Sequence, residues 1–144
     1  MVTYADSSFL VSIYVDDEHT KLAQTYLSKN PRPLYLTPFS KSETQHALRL
    51  LAFRKIISPE VATRCLLTFD EDQEEGLYGM ARIEGGDLFQ KAAQLSHRHA
   101  LELGVRYLDM LHVASALLAK GTCFLTFDAR QRKLAKVVGL EVKP

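Results

Sequence analysis

The chain predicts an α/β fold: a mainly parallel sheet of four or five strands with helices on both faces. Two observations carry this. Short apolar runs that suit buried strands alternate with longer stretches of helical periodicity, and helix-starting residues follow the early runs directly. Between Met110 and Ala119 only His112 can carry a charge and apolar residues fall on every face, so a helix there is buried all round and central. At 144 residues the chain is read as one domain spanning 1–144. That size buries about two-thirds of the unfolded surface without a staple. An apolar fraction of 47% with 24% charged residues excludes a disordered chain.

Residues 2–5 form the first strand, and Asp6-Ser7-Ser8 supplies cap chemistry for a helix over residues 9–15. Asp16-Asp17-Glu18 breaks it. A second helix places Leu22, Ala23, Tyr26 and Leu27 on one face and ends near Asn30-Pro31, before a buried strand at residues 34–36. Two overlapping starts then compete for the third helix: Thr37 capping with Pro38 in the first turn, or Ser40 capping with Glu43 three residues on. It runs to about Arg54. Ser58-Pro59-Glu60 opens the fourth helix, which enters the acidic run 70–75, a solvated face, and stops at Gly76. Residues 80–84 predict a strand. Gly85-Gly86-Asp87 then turns, with Asp87 as cap, into a helix carrying Leu88, Phe89, Ala92, Leu95 and Ala100. His97 and His99 lie two apart, diverge on a helix and suit a surface. Gly104 precedes the central helix, and 123–127 reads as a strand, 129–138 as a basic amphipathic helix and 140–142 as a last strand.

The net charge of +1 names no partner, although residues 1–86 carry nine Lys/Arg against twelve Asp/Glu and residues 87–144 nine against five. Cys65 and Cys123 are isolated, in no metal or redox spacing, and are expected in the core of a protein from a reducing cytoplasm. No basic-then-apolar leader and no apolar run near ~18 residues is present, so neither secretion nor a membrane span is expected.

In open parallel sheets, ligands gather at the carboxyl ends of strands where the strand order reverses. Asp6 and Asp128 follow strands, Asp109 lies in the first turn of the buried helix, and Glu43 lies in the first turns of the third helix, sharing a face with Phe39, Ala47 and Leu50. All four acids fall at one sheet edge. Four such carboxylates repel unless a divalent cation neutralises them, and an all-oxygen set suits Mg²⁺ or Mn²⁺. Such ions activate water and stabilise a phosphodiester's developing charge, so metal-dependent phosphodiester hydrolysis is the chemistry implied. Each acid also has a bland alternative. Asp6 and Asp128 are good helix caps, Glu43 can close a box with Ser40, and Asp109 can serve the helix dipole. His112, one turn after Asp109, is read as a core or supporting residue. Ser7 and Thr126 can orient a carboxylate or a metal-bound water.

At these residues the chain resembles the PIN-domain family, in particular the VapC-like toxins of prokaryotic toxin–antitoxin pairs. The resemblance rests on Tyr4-Ala-Asp-Ser-Ser, Glu43, the segment from Arg106 to Leu117, and Leu125-Thr-Phe-Asp-Ala-Arg-Gln followed by Leu134-Ala135. It implies a sheet ordered 3-2-1-4-5 with the acids between strands 1 and 4, and Mg²⁺- or Mn²⁺-dependent endoribonuclease activity on RNA. It also implies a small antitoxin partner and a homodimer. By position the family's ligands fall on Asp6, Glu43, Asp109 and Asp128, its hydroxyl on Thr126 and its small polar residue on Ser7. Arg106, Lys41, Arg130 and Arg132 are candidates for phosphate contacts. The charged run at 70–75 and the near-neutral net charge depart from the commoner short toxins. The competing readings are a PIN-fold RNA-binding or assembly module without turnover and, more remotely, a phosphate-transfer enzyme with Asp6 as nucleophile.

Overall fold

The computed structural model describes residues 1–30 and 33–144. In chain order the elements are β1 (Thr3–Ala5), α1 (Ser7–Tyr14), α2 (Thr20–Lys29), β2 (Leu34–Leu36), α3 (Pro38–Phe53) and α4 (Pro59–Glu74). They continue as β3 (Tyr78–Met80), α5 (Gly85–Leu103), α6 (Tyr107–Leu118), β4 (Cys123–Leu125), α7 (Ala129–Val137) and β5 (Glu141–Lys143). The five strands make one sheet ordered β3-β2-β1-β4-β5, with every neighbouring pair parallel. This is the predicted order.

Alternation along the strands sends side chains to two cores. Tyr4 and Phe124 are paired in register and their rings stack 5.5 Å apart on the face covered by α5, α6 and α7, among Leu95, Met110, Val113 and Leu134. Ala5, Leu36 and Leu125 face the other way, onto Phe9, Leu10, Ala23 and Phe69 of α1, α2 and α4. Helix α6 is the central element: residues 109 to 116 are all buried, the first-turn residues Tyr107 and Leu108 are exposed, and Leu117 and Leu118 are half-buried. Its exit toward β4 is tight. Gly121 N–H donates to the Ala116 carbonyl at 2.8 Å, and a Cβ on Gly121 would lie 2.8 Å from that same oxygen.

Several local expectations shift. Strand β3 is Tyr78–Met80 rather than 80–84, because Leu34 N–H already bonds the Leu77 carbonyl and the Ala81 N–H bond to Leu36 closes the ladder. Helix α5 is capped at Glu84, so Asp87 sits inside the first turn, serving the dipole instead of capping. Phe89 is 57% exposed and Leu22 is 54% exposed. Each lies about 100° round its helix from the next apolar position on the buried stripe, Leu88 or Ala23. Strand β5 starts at Glu141, one residue later than expected. Helix α2 ends at Lys29 with Asn30 as its C-cap, near the expected Asn30-Pro31, of which Pro31 lies outside the described residues. Cys65 and Cys123 are both free and buried.

Candidate active site

Strands β1 and β4 end side by side, and Asp6 N–H bonds the Leu125 carbonyl at 3.1 Å. From this edge α1 and α7 leave separately, each capped by the acid that follows its strand. Asp6 is fully buried. Its carboxylate accepts from Phe9 N–H at 2.9 Å, from Ser8 Oγ at 2.8 and 2.9 Å and from Thr126 Oγ1 at 2.6 Å. Burial pushes its carboxyl above the ordinary carboxylate range, against the opposing pull of His112 and of these donors. Asp128 caps α7, accepting from Arg130 N–H at 2.9 Å and Gln131 N–H at 3.0 Å. Thr126 links the two acids, donating to Asp6 and accepting from Asp128 N–H at 2.9 Å.

Glu43 is released by a choice among caps. Thr37 and Ser40 close a reciprocal box, Thr37 N–H to Ser40 Oγ at 2.9 Å and Ser40 N–H to Thr37 Oγ1 at 3.2 Å, so the Ser40–Glu43 alternative is not formed. Glu43 instead turns to the sheet edge. Its Oε1 accepts from Ser7 Oγ and lies 2.8 Å from His112 Nε2. Half-burial alone would raise its carboxyl, but the His112 hydrogen bond and charge, with Ser7 and nearby His46, hold it below the usual range. His112 is 1% exposed, and its Nδ1 lies 3.0 Å from Tyr4 Oη. A carboxylate only accepts, so His112 Nε2 carries the proton facing Glu43, and Nδ1 shares a hydrogen bond with the buried Tyr4 hydroxyl. Tyr4, His112, Glu43 and Ser7 thus form one chain of hydrogen bonds.

Asp109, 5% exposed, accepts from Gln131 Nε2 at 3.1 Å on one oxygen. Its other oxygen, Oδ2, is buried without a hydrogen bond, with only the Nε of exposed Arg106 at 3.8 Å. Glu43, Asp109 and Asp128 line one cleft of about 680 Å³ that also holds Ser7, Ser8, His112 and Gln131, while Asp6 lies beneath its floor. One wall is apolar, from Val11, Ala47, Leu50, Leu51 and Leu108, and the guanidinium groups of Arg54 and Arg106 and the imidazoles of His19 and His46 also line the cleft. His19 lies flat on Phe127, with ring centres 4.3 Å apart and planes 6° from parallel.

This arrangement has relatives. The PIN domain family matches residues 3–137. The chain belongs to the PIN domain family. No curated protein sequence matches it significantly. Among solved structures, this PIN domain is similar to Mycobacterium tuberculosis VapC20, a Sarcin-Ricin loop cleaving toxin, at 17% identity over 99% of each chain with a TM-score of 0.71. It is similar to VapBC2 from Rickettsia felis bound to a DNA fragment from its promoter (14% identity, 99% of this chain and 98% of that chain, TM-score 0.67). It also resembles VapBC-1 from nontypeable Haemophilus influenzae (10% identity, 99% and 97%, TM-score 0.65). At these identities the likeness is one of fold.

Among the described residues of the PIN domain, no three His, Cys, Asp or Glu side chains are gathered closely enough to cage a metal ion. The donor set nevertheless fits Mg²⁺ or Mn²⁺. Mg²⁺ keeps most of its waters and needs only one or two carboxylates, and the buried Asp109 Oδ2, without a hydrogen bond, has the charge that suits such an ion.

The candidate phosphate contacts separate. Arg106 lines the cleft, whereas Lys41 lies 3.9 Å from Asp70 on the outer surface and Arg132 donates to the Thr126 and Pro144 carbonyls at 2.9 Å. Arg130 is exposed outside the cleft lining. The sequence reading missed Gln131, His19, His46 and Arg54, and gave Ser8 only a capping role. Position offered a signal for two: His46 is one helical turn from Glu43, and Gln131 is the third residue after Asp128.

Proposed function

We propose that this PIN domain is a divalent-cation-dependent endoribonuclease and the toxin of a toxin–antitoxin pair. The observation that carries the reading is Asp109 Oδ2, buried without a hydrogen bond and 3.8 Å from exposed Arg106 Nε, on a residue that lines one cleft with Asp128 and Glu43 near the switch between β1 and β4. Asp109 and Asp128, with Asp6 below them, would hold Mg²⁺ or Mn²⁺, and such an ion lowers the pKa of water and neutralises charge on a phosphodiester.

The chain's own residues supply the rest. Glu43, kept ionised by His112 and Ser7, accepts a hydrogen bond from the attacking water and orients it. Thr126 and Ser8 fix Asp6, and Arg106 meets a substrate phosphate at the rim. His19, backed by Phe127, offers a ring face to an unstacked base, a contact that favours single-stranded RNA.

The antitoxin partner is supported by the likeness to VapBC assemblies, and the RNA substrate by the likeness to a Sarcin-Ricin loop cleaving toxin. A homodimer and a cytoplasmic setting belong to the same proposal. Among the described residues no helix is long and apolar enough to cross a membrane, and Leu101 on α5 is fully exposed, available to a second copy.

The test is cleavage of RNA with Mg²⁺ or Mn²⁺ by the wild type and by Asp109→Asn, with circular dichroism to check the fold. A loss of at least about 10²-fold is expected. Undiminished cleavage by a folded Asp109→Asn would overturn the proposal. A binding module without turnover is the second reading, favoured by the absence of a gathered metal cage among the described residues. It predicts RNA binding with no rise in melting temperature on adding Mn²⁺.

A further inference from the structure

Gln131 is an unusual residue for its place. Helix α7 is otherwise basic and polar apart from its buried seam, yet this glutamine is 5% exposed and lines the cleft. Burying an amide is costly unless both of its ends are bonded. Only one is. The carboxylate of Asp109 can only accept, so the amide must turn its NH₂ toward Asp109 Oδ1, at 3.1 Å. That orientation leaves Gln131 Oε1 as a second acceptor, buried and unbonded, at the same site as Asp109 Oδ2, which is also buried and unbonded. The exposed Arg106 Nε, 3.8 Å from Oδ2, is too far to donate, so both acceptors suit a ligand that brings positive charge and donors together. A hydrated divalent cation is such a ligand, since its charge suits the carboxylate and its water protons suit the amide oxygen.

The backbone of Gln131 is fixed as well. Asp128, the cap of α7, accepts from Gln131 N–H at 3.0 Å, so the residue joins two acids on different elements. Asp128 holds its main chain, and its side chain holds Asp109.

We propose that Gln131 is a positioning residue that aims Asp109 Oδ2 at a divalent cation and accepts a hydrogen bond from that cation's hydration shell through Oε1. The inference rests on the metal-dependent reading above.

It is tested by Mn²⁺ titration of the intact chain without RNA, reading free Mn²⁺ by electron paramagnetic resonance. Gln131→Met keeps the length and apolar bulk of the side chain and removes both hydrogen-bonding ends, with Gln131→Ala as the second variant should the first not fold. Mn²⁺ affinity should fall by about 10–100-fold in either. In an Asp109→Asn background the same substitution should cost less, because the part of its effect that runs through Asp109 is already gone. A glutamine that only packs would lower the melting temperature of the metal-free protein and leave Mn²⁺ affinity unmoved. Wild-type affinity in a folded Gln131→Met overturns this inference and leaves the nuclease reading standing. If the wild type takes up no Mn²⁺, both fall.

Discussion

Asp6 and Glu43 meet the same sheet edge, and their surroundings push them in opposite directions. Asp6, buried, titrates above its ordinary 3.8, so the folded state binds the proton more tightly than the unfolded chain. Its contribution to stability is fully present below pH 3.8 and is lost as pH rises through the folded value. Glu43 titrates below its ordinary 4.5, so its contribution is present above pH 4.5 and is lost as pH falls through the folded value. Metal-free thermal melts between about pH 3 and 8 should therefore show Asp6→Asn gaining on the wild type as pH rises. The advantage of the wild type over Glu43→Gln should shrink on acidification. Tyr4 acts one step further back. Tyr4→Phe leaves the buried His112 Nδ1 without its bond, and denaturant unfolding should register a loss of about 1–3 kcal/mol. At the rim, His19→Ala should raise KM for RNA while His19→Phe preserves it, because the proposed contact is a ring face rather than a charge.

At the scale of the element, the start of α3 decides where a catalytic candidate points. The Thr37–Ser40 box fixes the first turn and leaves Glu43 free to reach Ser7 and His112. Thr37→Ala should cost about 1 kcal/mol in stability, seen as a lower denaturant midpoint. It should also weaken cleavage more than that loss explains, because the turn that aims Glu43 is loosened. Helix α6 presents the complementary case. Its burial on every face was legible in the sequence because apolar residues surround the helix and no period needed interpreting. The start of α5 was less legible, since Glu84, Gly85, Gly86 and Asp87 offer overlapping caps and only packing chooses among them. Strand β3 was displaced for a similar reason: its limits are set by the ladder to β2, not by its own residues.

For the whole molecule, the parallel order β3-β2-β1-β4-β5 brings the ends of β1 and β4 together, so that Asp6 and Asp128 share Thr126 as a hydrogen-bond partner. An ion that binds only this assembled state must stabilise it. Mn²⁺ at one hundred times its dissociation constant should add about 2.7 kcal/mol, and Asp109→Asn should abolish the shift. Gly121 guards the same assembly from the opposite end of β4, where Gly121→Ala would press a methyl group onto the Ala116 carbonyl and lower the melting temperature.

The sequence by itself determined the alternation of strands and helices, the buried helix α6, and the four acids at strand ends and helix starts. These follow from periodicity and capping, which act over a few residues. Only the tertiary structure decided which of two caps α3 uses, that Tyr4 reaches His112 across 108 residues, and that Thr126 reaches Asp6 across 120. It also turned Lys41 and Arg132 to other partners and buried Gln131 against Asp109. A side chain's partner across the sheet depends on strand order and helix placement, and no spacing along the chain encodes it.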